Sequence, residues 1–369
     1  MTEFRISIGL FIDNMKYLYF VCLGVLLPFC GFPQENRQDY NFTNVGMTFL
    51  SVVTDARAGG MGELGVATSP DNYSHQQNPA KYVFSDLKTV GKGGINVFYM
   101  PWLRRLVDDM NIAGASGYYK VNSEQSVSFS FRYFSMGDLH ETDDNLQALG
   151  ERSPYEMAMD VAYARRLGRN FSMSMTFRYG VSNVVKKYRR AHIIAADLGG
   201  YYSKALRLGK NSGLFALGFA LSNVGNKIKY GTDDRLFLPA ELKLGSNLEV
   251  RIQNLHRFSI GMEGGKYLVS LREDDHTNTV LQCIGASFES GEIKRLFWKI
   301  GGEYVFNEIL AFRTGYFHEG KSGLQREYAT FGAGIRFMRI HLDASYLVSM
   351  MSGNHPLDNS LHLSAGIAF

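Results

Sequence analysis

Few residues in this chain have the types and spacing to do chemistry. Gly60-Met-Gly-Glu-Leu-Gly65 matches the G-x-G-x-x-G pattern, in which glycines let backbone amides approach a dinucleotide pyrophosphate at a helix start. That chemistry needs a strand before the turn, a helix after it and a βαβ unit around both. The flanking sequence supplies none of these, so the glycines read as positions for tight packing and positive φ. His341 and Asp343 share one strand face at i and i+2 but have no third partner for catalysis or for a metal. They read as satisfied polar groups. No Gly-x-Ser-x-Gly occurs, and the nine histidines are dispersed. Of the three cysteines, Cys22 and Cys30 fall in an N-terminal leader, which leaves Cys283 with no disulfide or metal partner. No enzyme activity, cofactor or metal is expected. A net charge of +4, with its basic residues scattered, leaves no nucleic-acid footprint.

The other notable residues position a segment rather than react. Asp55-Ala-Arg-Ala-Gly-Gly-Met-Gly-Glu-Leu-Gly-Val-Ala-Thr-Ser-Pro-Asp71 and then Asn78-Pro-Ala-Lys-Tyr82 are rich in small residues and have no clean period. That composition suits a compact irregular piece packed inside something. Beyond it alternation takes over, and fourteen strands are counted between Ile95 and Phe369. The cleanest sets Phe171, Met173, Met175, Phe177, Tyr179 and Val181 against Ser172, Ser174, Thr176, Arg178 and Gly180. The last, Ser360 to Phe369, is apolar on one face and stops on an aromatic. By itself it fits either the core strand of a soluble sandwich or the closing strand of an outer-membrane barrel.

Charge decides between them. Arg132, Arg178, Lys243, Lys299, Arg313 and Arg336, with Asp160, Asp197, Glu241, Glu263, Glu303 and Asp343, all lie opposite the apolar faces. An Arg or Lys facing lipid at mid-membrane costs about 2–4 kcal/mol, so one-sided confinement points to a transmembrane barrel. Short connections after the second, fourth, tenth and twelfth strands alternate with longer ones, as periplasmic turns alternate with external loops. A strand at Thr279–Ser287 would break this parity, so that stretch belongs to an external loop, Leu268–Leu296. The expected fold is all-β: a 14-stranded antiparallel transmembrane β-barrel with an N-terminal plug.

The domain boundaries follow. Residues 1–33 comprise an extension and a signal peptide with its true start at Met15, cleaved between Cys30 and Gln34; lipidation at Cys30 is the weaker alternative because Phe29 is bulky. Residues 34–94 form the N-terminal segment and plug, and residues 95–369 the barrel. Within the plug, Asp55 and Arg57 are expected to pair with lumen charges, while Gly59, Gly60, Gly62, Asn78 and Pro79 shape it. Two places suggest contact with a partner. Trp102, in the amphipathic connection Pro101–Asp109, is either an interfacial belt residue or a partner contact. Leu236, Phe237 and Leu238 form an apolar run that a water-exposed loop has no folding reason to keep.

The pieces Asp55-Ala-Arg-Ala-Gly-Gly-Met-Gly, Val66-Ala-Thr-Ser-Pro-Asp71, Asn78-Pro-Ala-Lys-Tyr82, Pro101-Trp-Leu-Arg104, Gly117-Tyr-Tyr-Lys120, Arg132-Tyr-Phe-Ser-Met-Gly137, Ala162-Tyr-Ala-Arg-Arg-Leu167, Gly315-Tyr-Phe-His-Glu319 and Asp343-Ala-Ser-Tyr-Leu347 occur together. In combination, from about Phe49 onward, the chain resembles the PorV family of type IX secretion outer-membrane barrels. The resemblance implies a FadL-like fold without catalytic residues. It also implies binding of the C-terminal signal domain of exported cargo at the translocon and transfer to a PorU-type sortase, which attaches cargo to surface lipopolysaccharide. A different class, a FadL-like transporter of hydrophobic molecules, would instead show a continuous apolar cavity beside the plug.

Overall fold

The computed structural model describes residues 45–85, 91–102, 109–142, 148–184, 190–230, 235–269, 279–288, 296–320, 326–350 and 360–369. The leader, the Met15 start, the cleavage site, the first eleven residues of the 34–94 segment, its residues 86–90 and residues 103–108 lie outside them. The strands are β1 (Gly93–Pro101), β2 (Met110–Lys120), β3 (Gln125–Met136), β4 (Leu139–Thr142), β5 (Ala148–Arg152), β6 (Tyr155–Arg166), β7 (Phe171–Asn183), β8 (Ala191–Leu208), β9 (Asn211–Gly225), β10 (Ile228–Lys229), β11 (Arg235–Leu236), β12 (Glu241–Ile252), β13 (His256–Tyr267), β14 (Leu296–Phe306), β15 (Leu310–Glu319), β16 (Glu327–Phe337), β17 (Ile340–Ser349) and β18 (Leu361–Ala368). Fourteen close into one antiparallel barrel, and β4–β5 and β10–β11 are separate two-stranded hairpins. Closure comes from the final strand: β18 pairs with β1 in the register Val97↔Ala365 and Tyr99↔Leu363. The unpaired edge that a terminal apolar strand would otherwise present is thereby removed.

Period-two alternation divides the barrel surface. In β7, Phe177 is 54% exposed while Thr176 and Arg178 on either side are buried. Among the described residues no helix is long and apolar enough to cross a membrane; the chain crosses with strands whose outward side chains are the apolar set and whose inward ones carry the charges. The twelve charged residues assigned to the inner faces are each buried or half-buried.

Three strands run further than their alternation suggests. β8 continues to Leu208, β9 starts at Asn211, and β12 continues to Ile252, so the connections after β8 and β12 shrink to Gly209–Lys210 and Gln253–Leu255. Every connection at that end is now short, and the other end carries all the long ones. Gly209 has φ +65°, and Gln253 and Asn254 also have positive φ, the left-handed backbone that tight hairpins need. β12 keeps its outward apolar row to the end in Leu248, Val250 and Ile252, whereas the outward row of β8 is interrupted by Lys204. The stretch Thr279–Ser287 carries a short helix, α2 (Val280–Ala286), begun by a capping box in which Thr279 and Gln282 exchange side-chain and backbone hydrogen bonds.

The face assignment has a direct test. Phe177→Arg places a cation against lipid and should destabilise the inserted barrel by about 2–4 kcal/mol, whereas Phe177→Leu should leave it nearly unchanged. Urea titration of the heat-modifiable gel band reads this difference, and equal midpoints for the two variants would mean that Phe177 does not face lipid.

Candidate functional site: the plugged lumen and its external cap

The lumen is occupied by residues 52–85, a chain of short elements held by side chains rather than by a sheet. Helix α1 (Ala56–Gly60) begins at Asp55, whose Oδ1 accepts from the Ala58 N–H at 2.7 Å. A second turn, Pro79–Phe84, begins at Asn78 with Pro79 in its first positions, where the missing N–H costs nothing. Asn78 also donates to the Val66 and Gly200 carbonyls at 3.0 and 2.9 Å, tying plug to wall. Lys81 is buried, and its ammonium donates to the Gly65 carbonyl and the Thr68 hydroxyl.

Arg57 is the principal anchor. Its Nε and Nη2 donate to the two oxygens of Glu303 at 3.0 and 2.9 Å, and Nη1 donates to the Ser69 carbonyl and to Asp71. Glu303 also accepts from Arg313 at 2.8 Å, and Arg313 in turn donates to Asp343 at 2.7 Å. On another wall Glu263 accepts from the plug amides of Gly65 and Val66 and from Lys299. A third group, Arg132, Asp160, Arg178 and Asp197, lies under the plug residue His75, whose Nε2 is 3.9 Å from Asp160. His341 and Asp343 do not act as a pair: His341 contacts Asn72, and Asp343 binds Arg313 and the Tyr73 hydroxyl. Glu303, Glu263, Lys81 and Asp71 were not singled out as plug anchors from sequence; their one available signal was a charge on an inward or small-residue segment.

Asp55 corrects the sequence reading. It makes no bond to a lumen charge: Oδ1 caps its own helix and Oδ2 has no hydrogen-bond partner among the described residues. An Asp one residue before a helix start is an N-cap by type, and that local demand takes the side chain. Burial, with the nearby Asp71 carboxylate adding to it, pushes the Asp55 carboxyl up to about 7.

The glycines act by letting the plug backbone approach the wall closely. Gly62 has φ +69°, and a Cβ there would stand 2.7 Å from the Tyr316 nitrogen. A Cβ on Gly60 would stand 3.0 Å from the Gly332 Cα, and one on Gly59 would stand 2.3 Å from the His362 ring. The dinucleotide-like spacing is thus a packing seam.

Above the plug, the end with the long connections is closed by apolar side chains. Met47, Phe49, Leu50, Ile112, Phe134, Ile193, Ile228 and Leu238 form one cluster. Phe237 joins Leu268, Val269 and Cys283 in a second. This overturns the reading of Leu236, Phe237 and Leu238 as an exposed contact run. Phe237 and Leu238 are buried, Leu236 is half-buried, and the Gly46 N–H donates to the Phe237 carbonyl at 2.9 Å. The β10–β11 hairpin folds inward across the mouth, so the run serves the core. Trp102 is half-buried and packs against the Ile112 and Phe297 clusters, which turns it toward this cap rather than toward a lipid belt. A cavity beside the plug, about 180 Å³, lies at the short-turn end, where Leu214, Val305, Ile309 and Ile335 are interleaved with the charged Arg57, Arg251, Arg257, Arg336, Glu249 and Glu308.

A closed fourteen-stranded barrel with an apolar outer belt, a charged inner face and a plug bonded to that face is an outer-membrane barrel protein. The family model described as "Type IX secretion system protein PorV" matches residues 34–274, and the chain belongs to that family. Among solved structures, the toluene transporter TodX of Pseudomonas putida is similar at 11% identity, over 85% of this chain and 98% of that one, with a TM-score of 0.50, a likeness of fold alone. A FadL homologue of Pseudomonas aeruginosa is similar at 11% identity over 86% and 98%, with a TM-score of 0.44. No curated protein matches.

Arg57→Glu sets a carboxylate against Glu303 and Asp71, and should destabilise the plugged state by about 3–5 kcal/mol, the scale for breaking a buried pair. Heat-modified gel mobility and antibiotic leakage should both report it; wild-type values for this variant would remove Arg57 as an anchor.

Asp55 gives a pH dependence whose sign is fixed. Its pKa rises from 3.8 when unfolded to about 7 when folded, so its contribution is intact below about pH 4 and is lost as pH climbs to about 7. Asp55→Asn keeps the acceptor for Ala58, and should flatten the slope of the urea midpoint across that window; an unaltered slope assigns the dependence elsewhere.

Proposed function

We propose that this barrel is a cargo-handling subunit of type IX secretion, which receives the C-terminal signal domain of exported protein at the translocon and delivers it to a PorU-type sortase for attachment to lipopolysaccharide. The observation that carries the reading is the closed interior. The plug is bonded to the wall, the outer mouth is filled with apolar side chains, and the cavity beside the plug is small and broken up by charged side chains. A solute path is not what such a lumen is built for, and a transporter of hydrophobic molecules would need an apolar cavity beside the plug. The work therefore falls to the outer surface, and family membership supplies the secretion context.

The cap offers a replacement for the buried Leu236–Leu238 run. On its outside Leu281, on α2, is 76% exposed, and Phe288, just beyond it, is 49% exposed under the Lys266 ammonium. Neither is in the core or the lipid belt. Leu281→Ser with Phe288→Ser should leave barrel abundance in the membrane unchanged and lower cargo copurification severalfold. Full cargo recovery at equal abundance would exclude this face.

A further inference from the structure

At the periplasmic end one strand edge is left open. β7 pairs with β8 only as far as Phe171↔Tyr202, while β8 runs on to Leu208 and pairs there with β9 alone, through Lys204↔Phe215 to Leu208↔Asn211. The opposite edge of β9 is covered by β12 as far as Ser212↔Arg251. The last bond on the β7 side is from the Ser203 N–H to the Asn170 carbonyl, 2.8 Å. By antiparallel alternation the N–H and C=O of Ala205 and Arg207 face the same open side, and no described residue pairs with them there. The free edge is five residues, roughly 16 Å along the strand.

Its position and charge say what could use it. Tyr163 and Tyr202 are the last aromatics on the outward rows of β6 and β8, and the next outward residues are Arg165 and Lys204. An aromatic girdle followed by bases marks the membrane boundary, so the open edge stands in the periplasm. Around it lie Arg165, Arg169, Lys204, Arg207 and Lys210, all exposed, and Asp197 is the sole acid in the sequence from residue 161 to residue 230. Asp197 is taken by Arg178 inside the barrel. An edge with unpaired backbone groups is a template for another strand, and bases keep it from pairing with a copy of itself.

We infer that the β8 edge at Lys204–Leu208 is a docking site for an extended acidic segment of a periplasmic partner protein, added to the barrel wall as a further strand. Backbone bonds at Ala205 and Arg207 hold the segment, and its carboxylates lie on the face of Arg207, with Lys204 and Lys210 adding to the positive field around them. Acids alternating with β-branched residues would suit both the bases and the outward Leu206 and Leu208. The site lies at the opposite end of the barrel from the external cap and is independent of the cargo reading.

The test uses the full barrel in detergent and a short synthetic peptide alternating Glu and Val, read by fluorescence anisotropy. Ala205→Pro removes an N–H that pairs with no described residue of the barrel and leaves every charge in place. It should weaken binding at least tenfold, as should K204E/R207E/K210E, and the same peptide with a central proline should fail to bind. Hydrogen exchange on the unsubstituted barrel needs no variant: peptide should slow the Ala205 and Arg207 amides. The inference is overturned by absence of peptide binding or by unchanged exchange at those amides. It is equally overturned if the proline peptide binds as tightly as the parent, which means charge alone, or if the charge reversal affects only binding to phosphatidylglycerol vesicles, which means a headgroup patch.

Discussion

The carboxylate of Glu303 holds the structure together. It accepts from Arg57 of the plug, from Arg313 of β15 and, at 3.4 Å, from Arg257 of β13. A strand face that must point away from lipid can carry charge only if the interior repays its desolvation, several kcal/mol per ion, with opposite charge at hydrogen-bond distance. The wall alone does not complete that pairing, because Arg57 and the amides of Gly65 and Val66 come from the plug. Nor does the plug complete its own: Arg57 meets Asp71 within it but needs Glu303 for the fork. Barrel and plug are therefore one folding unit, and the charge pattern that identifies the inner face also requires it to be filled.

Where charges do not join plug to wall, backbone does. A Cβ on Gly315 would lie 2.1 Å from the Gly62 nitrogen, and one on Gly301 would lie 2.2 Å from the Met61 carbonyl oxygen. No side chain fits between the plug turn and these strands, so contact there is limited by main-chain van der Waals radii. Across β15 to β18 and β1 the outer face carries an apolar groove of about 640 Å³ among Val97, Tyr99, Leu310, Phe312, Ile335 and Leu363. Being on the lipid side, it is open to acyl chains and leaves the charged lumen undisturbed.

How much of this is legible in the sequence depends on what each residue answers to. Within the lipid belt the solvent itself enforces alternation, so β7 and β18 can be read directly, and so can the confinement of Asp160 and Arg178 to one side. Past the belt that pressure ends. Lys204-Ala-Leu-Arg-Leu looks like loop and is strand, because hydrogen bonding to β9 rather than face polarity sets its conformation. The run Leu236–Leu238 is legible as apolar but not as inward or outward, since an external connection can fold over the mouth or stand away from it. The strand Val45↔Phe237 bridge, a contact nearly two hundred positions apart, decides it. Asp55 was open to a local reading: an Asp followed by Ala-Arg-Ala is a helix N-cap before it is anything else.

The two ends of the barrel are built from different interactions, and this separates what each can do. At the outer end closure is apolar, as in the stack of Phe297, Phe317 and Tyr328, with centroids 5.8 and 4.8 Å apart. Dispersion and burial hold such a layer with little directional demand, so the parts of the loops that stand outside this packing can change without unsealing the mouth. At the periplasmic end Arg251, Arg257 and Arg336 converge on Glu308, which is itself in a positive-φ turn. Ionic contacts of that kind are geometrically specific and weaken with salt where water reaches them. Variation in partner should therefore be accommodated at the outer end, where packing is forgiving, while the periplasmic rim retains a fixed shape and a fixed sign of charge.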